Sequence, residues 1–180
     1  MLFMVIAPMA TAASYGVNYG FGLPYVFQLG GNYVDLDNNF SAELRLNFFT
    51  VSAGVASVRL TKPEVNVKWH PFQGAFFLGL GLGHQIATVS ASEPSSGAGV
   101  KFSVSSTVAT TSLGWMWGIT SPGLFGGLDF GWQNPYHVYT TVDSDIPSND
   151  NAYEDAEDAA RKFGELGLPL FTLFRIGWLF

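Results

Sequence analysis

The sequence predicts an all-β fold, an antiparallel up-and-down transmembrane β-barrel of eight strands with one short helix in the last long loop. Three observations predict it. Large apolar residues recur at every second position in run after run, the period of a strand with one greasy face. The chain is 48% hydrophobic but only 12% charged, against about 25% charged in a typical soluble domain. Aromatics make up 16% of it and there are 21 glycines, so the faces opposite the greasy ones are small and polar. No run of about 18 apolar residues follows the N-terminus, so no helix is expected to span a membrane. At 180 residues one domain is expected. There is no cysteine and hence no disulfide framework.

Residues 1–13 (MLFMVIAPMATAA) are apolar and end in small residues. Ala10-Thr11-Ala12 fits the A-x-A pattern of a signal-peptidase site, so this segment reads as a signal peptide and is excluded from the fold. The usual basic n-region is missing, which fits either an upstream start or an atypical signal. The barrel domain is then 14–180.

The strands follow in order. Tyr15, Val17, Tyr19 and Phe21 alternate with Gly16, Asn18, Gly20 and Gly22. Tyr25, Phe27, Leu29 and Tyr33 alternate with Val26, Gln28, Gly30 and Asn32. After the turn cluster Asp35–Asn39, Phe40, Ala42, Leu44, Leu46 and Phe48 oppose Ser41, Glu43, Arg45 and Asn47. A fourth run covers about Ala53–Trp69, with a phase slip at Lys62-Pro63 that suggests a bulge, where strand proline is tolerated. In the fifth, Phe76, Leu78, Leu80 and Leu82 oppose Phe77, Gly79, Gly81, Gly83 and Gln85. The sixth ends with Leu113, Trp115, Trp117 and Ile119 opposite Ser112, Gly114, Met116 and Gly118. The seventh sets Leu124, Leu128, Phe130 and Trp132 against Phe125, Gly127, Asp129, Gly131 and Gln133. The eighth is about Leu168–Phe180. There Phe174, Ile176, Trp178 and Phe180 form the greasy face, opposite Phe171, Leu173, Arg175, Gly177 and Leu179.

The two faces settle which side meets lipid. A soluble barrel would be apolar inside and carry many charges outside. Here the few strand charges fall on the small, polar face: Glu43, Arg45, Arg59, Glu64, Lys68, Asp129 and Arg175. Eight strands enclose just enough room for side chains. Unpaired charges inside would cost several kcal/mol each. These seven residues are therefore expected to form a luminal ion-pair network that plugs the barrel, with glycines giving it space. Their bland role is structural; the alternative is a conduction path, which intramembrane ionisable groups can mark. Tyr15, Tyr33, Trp69, Trp115, Trp117, Trp132 and Trp178 lie near strand ends or on outer faces, as aromatics at bilayer interfaces do.

Charge is uneven. Eight of the 14 acidic residues lie between Asp143 and Glu165, and the rest of the chain is neutral. No basic patch exists for nucleic acid. Residues 142–167 break the strand period and read as an acidic loop with a helix from about Asn149 to Phe163. Ser148 or Asn149 caps it, acids fill its first turns, and Arg161 and Lys162 come late. A solvated loop is favoured over a metal site, because Asp143, Asp145 and Asp150 match no ligand spacing. No metal or other cofactor is expected.

The aromatic-terminated last strand, Phe174 to Phe180, resembles the C-terminal signature of bacterial outer-membrane β-barrels, small eight-stranded class. The resemblance implies that Phe174, Ile176, Trp178 and Phe180 are an assembly signal read by the barrel-assembly machinery. It also implies that the barrel sits in outer-membrane lipid of a Gram-negative envelope with both termini periplasmic. Lipid A deacylase barrels of this size use a His-x-Ser pair on one strand. The triplets here are His70-Pro71-Phe72, His84-Gln85-Ile86 and His137-Val138-Tyr139, so that pattern is absent. GxSxG and nucleotide-binding loops are absent too. The expected function is therefore non-enzymatic, structural or surface-interacting. The alternatives are a narrow channel for small or apolar solutes and a lipid-modifying enzyme.

Overall fold

In the computed structural model the described residues are 13–53, 56–92, 99–144, 165 and 167–180. The signal-peptide reading of 1–13, all but Ala13, and the helix expected within 142–167 lie outside them. Eight strands run in chain order: β1 (Ser14–Leu23), β2 (Phe27–Asp35), β3 (Phe40–Ala53), β4 (Ala56–Trp69), β5 (Phe76–Ser92), β6 (Gly99–Trp117), β7 (Gly123–Ser144) and β8 (Leu168–Leu179). Each pairs antiparallel with its sequence neighbour, and β1 pairs with β8, so the sheet closes into a barrel without a free long edge around its waist. The start of β1 and the end of β8 lie at one rim, called the terminal rim, where the Phe180 amide donates to the Tyr15 carbonyl.

The connections at that terminal rim are tight. Leu36–Asn39, His70–Ala75 and Gly118–Pro122 link β2 to β3, β4 to β5 and β6 to β7. Gly118 and Gly123 bracket the last of these with φ of 81° and 136°, conformations that glycine alone adopts at low cost. The strands are unequal at the far rim. β1 and β2 have 10 and 9 residues, whereas β6 and β7 have 19 and 22. One wall of the barrel therefore rises above the other.

Outward positions form a broad apolar band. On β1 these are Tyr15, Val17, Tyr19, Phe21 and Leu23, all exposed, and the other strands repeat the pattern for about the 9–11 residues a tilted strand needs to cross hydrocarbon. Aromatic pairs ring the terminal rim, with Tyr15 against Tyr33, Tyr33 against Phe40, and Phe76 against Trp115. Phe27 stacks on Phe48, and Phe130 meets Phe171 edge-on, at the other border of the band.

The interior has three layers. Val34, Phe77, Met116, Ile119, Phe125 and Leu179 form an apolar floor at the terminal rim. Tyr25, Leu60, Ala87 and Leu170 form an apolar roof. Charged and amide side chains fill the space between.

Simple alternation misplaces three groups of residues. Tyr25 was expected on the outer face of the second strand. It lies before β2 and turns inward, 1% exposed, to close the barrel below the β1–β2 turn. Ile119, expected outward beside Trp117, lies in the turn after β6 and is folded into the floor. In β8 the register shifts by one residue against both β1 and β7. This bulge sends the consecutive Leu173 and Phe174 outward and flips the phase beyond them. Phe171 and Leu173, expected on the face of Arg175, are therefore exposed, and Thr172 points in. The opposite error occurs on β4. No register shift accompanies Lys62-Pro63, since Thr61 pairs with Ile86 and Glu64 with Gly83 in one continuous register. Proline lacks an N–H and interrupts the ladder without adding a residue.

Candidate functional site: an interior charge layer

The unbroken phase of β4 corrects one expected member of the network. Leu60, Lys62, Glu64, Asn66 and Lys68 all point inward and are buried. Arg59, in the opposite phase, faces outward and is exposed. Arg59 therefore takes no part in the interior layer, and Lys62 stands in it instead. The expectation failed because the slip was inferred from a proline, whose steric signal reports a missing donor and not an extra residue.

The remaining expected residues come together across the barrel. Glu43 on β3 is the hub. Its Oε2 accepts from Arg45 Nη2 at 2.6 Å and Lys68 Nζ at 2.7 Å, and Arg175 Nη2 lies 3.6 Å away. Its Oε1 accepts from Asn18 Nδ2 at 2.9 Å. Asp129 on β7 answers from the opposite wall. Its Oδ2 lies 2.5 Å from Arg175 Nη2 and 3.6 Å from Arg45 Nη2. Its Oδ1 accepts the Thr172 hydroxyl at 2.8 Å. Two carboxylates thus hold two guanidiniums between β3, β7 and β8. Arg45 and Arg175 are always charged, and at this depth their charges need such partners.

A second cluster lies toward the roof. Lys62 Nζ donates to Glu64 Oε1 at 3.1 Å and to Gln133 Oε1 at 3.2 Å, and the Thr110 hydroxyl also donates to Glu64. The Tyr25 hydroxyl donates to Gln85 Oε1 at 2.6 Å, where Gln133 Nε2 donates as well at 2.5 Å. Lys62 Nζ sits 5.1 Å from the centre of the Tyr25 ring. Toward the floor, Lys68 Nζ sits 4.9 Å from the centre of the Phe77 ring. Both lysines thus join a carboxylate on one side to an aromatic face on the other.

Small residues make the room. A Cβ on Gly30 would lie 2.8 Å from Glu43 Oε1, and one on Gly81 would lie 3.0 Å from Glu64 Oε1. Each glycine stands where a carboxylate crosses the sheet surface, so an alanine would collide with the network.

The three histidines differ in setting. His84 and His137 are exposed on the outer face of β5 and at a bulge in β7, where His137 has φ 49°. His70 is fully buried in the turn after β4. Its Nδ1 lies 3.0 Å from the Gly74 carbonyl, which fixes the proton there, and its Nε2 accepts from the Ser41 hydroxyl at 2.8 Å. Burial pushes the imidazole below its ordinary value and keeps it neutral. A hydroxyl beside a neutral histidine nitrogen is the geometry of an activated nucleophile. Ser41 is only 2% exposed, however, so this pair meets no substrate and instead ties the turn to β3. Sequence spacing could not show it, because the partners are 29 residues apart. Among the described residues no group of three or more acidic or histidine side chains is placed to hold a metal ion.

No protein-family model and no curated protein matches the sequence. Solved structures do match in shape. A major outer membrane protein from Thermus thermophilus superposes with a TM-score of 0.67 at 14% identity, covering 94% of this chain and 100% of that one. At that identity the likeness carries the fold alone. The chain has the closed, eight-stranded antiparallel barrel fold found in that outer membrane protein.

Proposed function

We propose that this chain is a small outer-membrane barrel with a structural or surface-interacting role, and that its interior does not conduct solutes. The observation that carries this reading is the cross-barrel layer of Glu43, Arg45, Lys68, Asp129 and Arg175, each at most 7% exposed and lying between an apolar floor and an apolar roof. A conduction path needs water beside its charges, whereas these charges are spent on one another. Planar-bilayer recording tests it. Membranes loaded with the folded protein are expected to stay silent. Discrete, voltage-dependent steps would establish the channel instead. Mass spectrometry of lipid A from cells with and without the protein tests for lipid-modifying activity, and the two spectra are expected to coincide.

The terminal rim is assigned to the periplasm and the taller far wall to the outside, in keeping with short turns at the first and the long segment 145–167 at the second. The last strand then presents Phe174, Ile176, Trp178 and Phe180 outward, each exposed, where the assembly machinery can read them. Deleting Phe180 is expected to lower the fraction of heat-modifiable, folded barrel in membranes while leaving export unchanged. Equal folded fractions would remove the assembly role.

A further inference from the structure

Arg59 is left over by the interior network. It faces outward on β4, exposed, and among the described residues no carboxylate pairs with it. The other described cations are either buried inside (Arg45, Lys62, Lys68, Arg175) or, for Lys101, far along β6. A lone outward guanidinium at the edge of a largely apolar band calls for an explanation, and its height supplies one.

Arg59 lies ten residues along β4 from Trp69, which is exposed at the terminal rim. At about 3.3 Å per residue and a strand tilt of about 40°, that is about 25 Å along the barrel axis. The apolar band of a transmembrane barrel is also about 25 Å tall. Arg59 therefore stands at the opposite border of the band from Trp69. Between them the outward residues are Val67, Val65, Pro63 and Thr61, with no charge. Lys101 is sixteen residues from Trp117 on β6, about 40 Å by the same measure and well clear of the band.

The neighbours of Arg59 are hydroxyls. Thr50 on β3 and Thr88 on β5 are its ladder partners, and the same outward row continues through Ser103 on β6 to Thr141 on β7. Ladder partners have Cβ atoms about 5 Å apart, so the Arg59 side chain leaves the sheet between two hydroxyl-bearing residues. A forked donor between two hydroxyls is complementary to the oxygens of a phosphate, and it carries the opposite charge. At this height the phosphates available belong to lipid headgroups.

We propose that Arg59, with Thr50 and Thr88, binds the phosphate of an anionic lipid headgroup at the border of the barrel's outer band. The proposal rests on the placement of the barrel in the outer membrane, but not on whether the interior conducts. The site fixes the depth of the taller wall in its leaflet and gives the barrel a preferred lipid on the β3–β5 flank.

Folded protein in phosphatidylcholine nanodiscs, supplied with bisphosphorylated lipid A or with lipid A stripped of its phosphates, provides the test. Mass spectrometry then counts the glycolipid retained after detergent extraction. Wild type is expected to retain the phosphorylated form about fivefold over the stripped form, the preference one basic residue confers near a charged interface. Arg59→Ala is expected to abolish the preference, Arg59→Lys to keep part of it, and Lys101→Ala to leave it unchanged. The Thr50→Val/Thr88→Val double variant is expected to lower it without removing the charge. Mobility shifts on boiling certify that each variant is folded. Absence of a preference in wild type, or an undiminished preference in Arg59→Ala, overturns the proposal. Because nanodiscs expose both leaflets, neither outcome depends on orientation. Bilayer conductance, which tests the closed interior, is read separately.

Discussion

The floor of the barrel and the charged layer above it fill the same cylinder by different physics. The floor, with Phe77, Met116, Phe125 and Leu179 in contact, is held by shape and volume. The layer of Glu43, Arg45, Lys68, Asp129 and Arg175 is held by ion pairs, two carboxylates shared among three cations, between groups that could not otherwise stay buried. The two are joined where Lys68 lies over Phe77. The difference teaches what an inside-out protein needs. With lipid outside, burying apolar groups inside brings less advantage than it does in water, so the interior can be polar, provided its charges are paired. Packing tolerates small changes gradually. Pairing fails at once when one partner goes.

The largest expected effect comes from removing the hub. Glu43→Gln leaves Arg45, Lys68 and Arg175 around a neutral group and is expected to lower stability by about 3–5 kcal/mol in urea unfolding followed by tryptophan fluorescence. A loss under about 1 kcal/mol would mean that the layer is not held by charge. Overfilling the floor comes next. A Cβ at Gly177 meets both the Phe125 ring and the Val17 carbonyl, so Gly177→Ala is expected to cost about 1–3 kcal/mol. The same denaturation series decides it, and a neutral result would show the floor to be loosely packed.

A smaller effect belongs to the link between turn and wall. His70 is held neutral in the fold, with its proton affinity lowered by burial. Below its ordinary value of 6.5 the unfolded chain takes up a proton that the folded one resists. This contribution to stability is therefore complete above pH 6.5 and is lost as pH falls from there toward the folded value. His70→Gln should flatten the pH dependence between about pH 7.5 and 5. Superimposable curves for the two proteins would refute the role. The smallest effect is expected at Arg59. Being outward, Arg59→Leu should change stability by no more than about 0.5 kcal/mol. Arg175→Leu, inside, should approach the Glu43 loss. If these two arginines behave alike, the division between inner layer and outer border is wrong.

Much of the fold was legible because a barrel between lipid and a narrow interior forces every strand to alternate. The turn cluster Asp35–Asn39 falls at a terminal-rim turn, and eight strands are found where eight were expected. The errors were errors of phase. Nothing in Leu173-Phe174 announces a bulge, because both residues are at home in lipid. Lys62-Pro63 suggested one that does not exist. Lys62 was missed for that reason alone, although continued alternation from Leu60 through Lys68 would have found it.

The sequence by itself determined that strands would form, how many, and which kind of face each would turn to lipid. Periodicity and composition are local properties, and they survive in any register. Only the tertiary structure decided which charge meets which. Glu43 finds Lys68, and Asp129 finds Arg175, on the next strand, but Arg45 meets Asp129 and Arg175 meets Glu43 only because the sheet closes and brings them together across its interior. A one-residue shift in β4 reverses the sides of Arg59 and Lys62 without changing a single residue type. Closure fixes that register, and with it the separation of the paired charges within from the one guanidinium left at the border of the band.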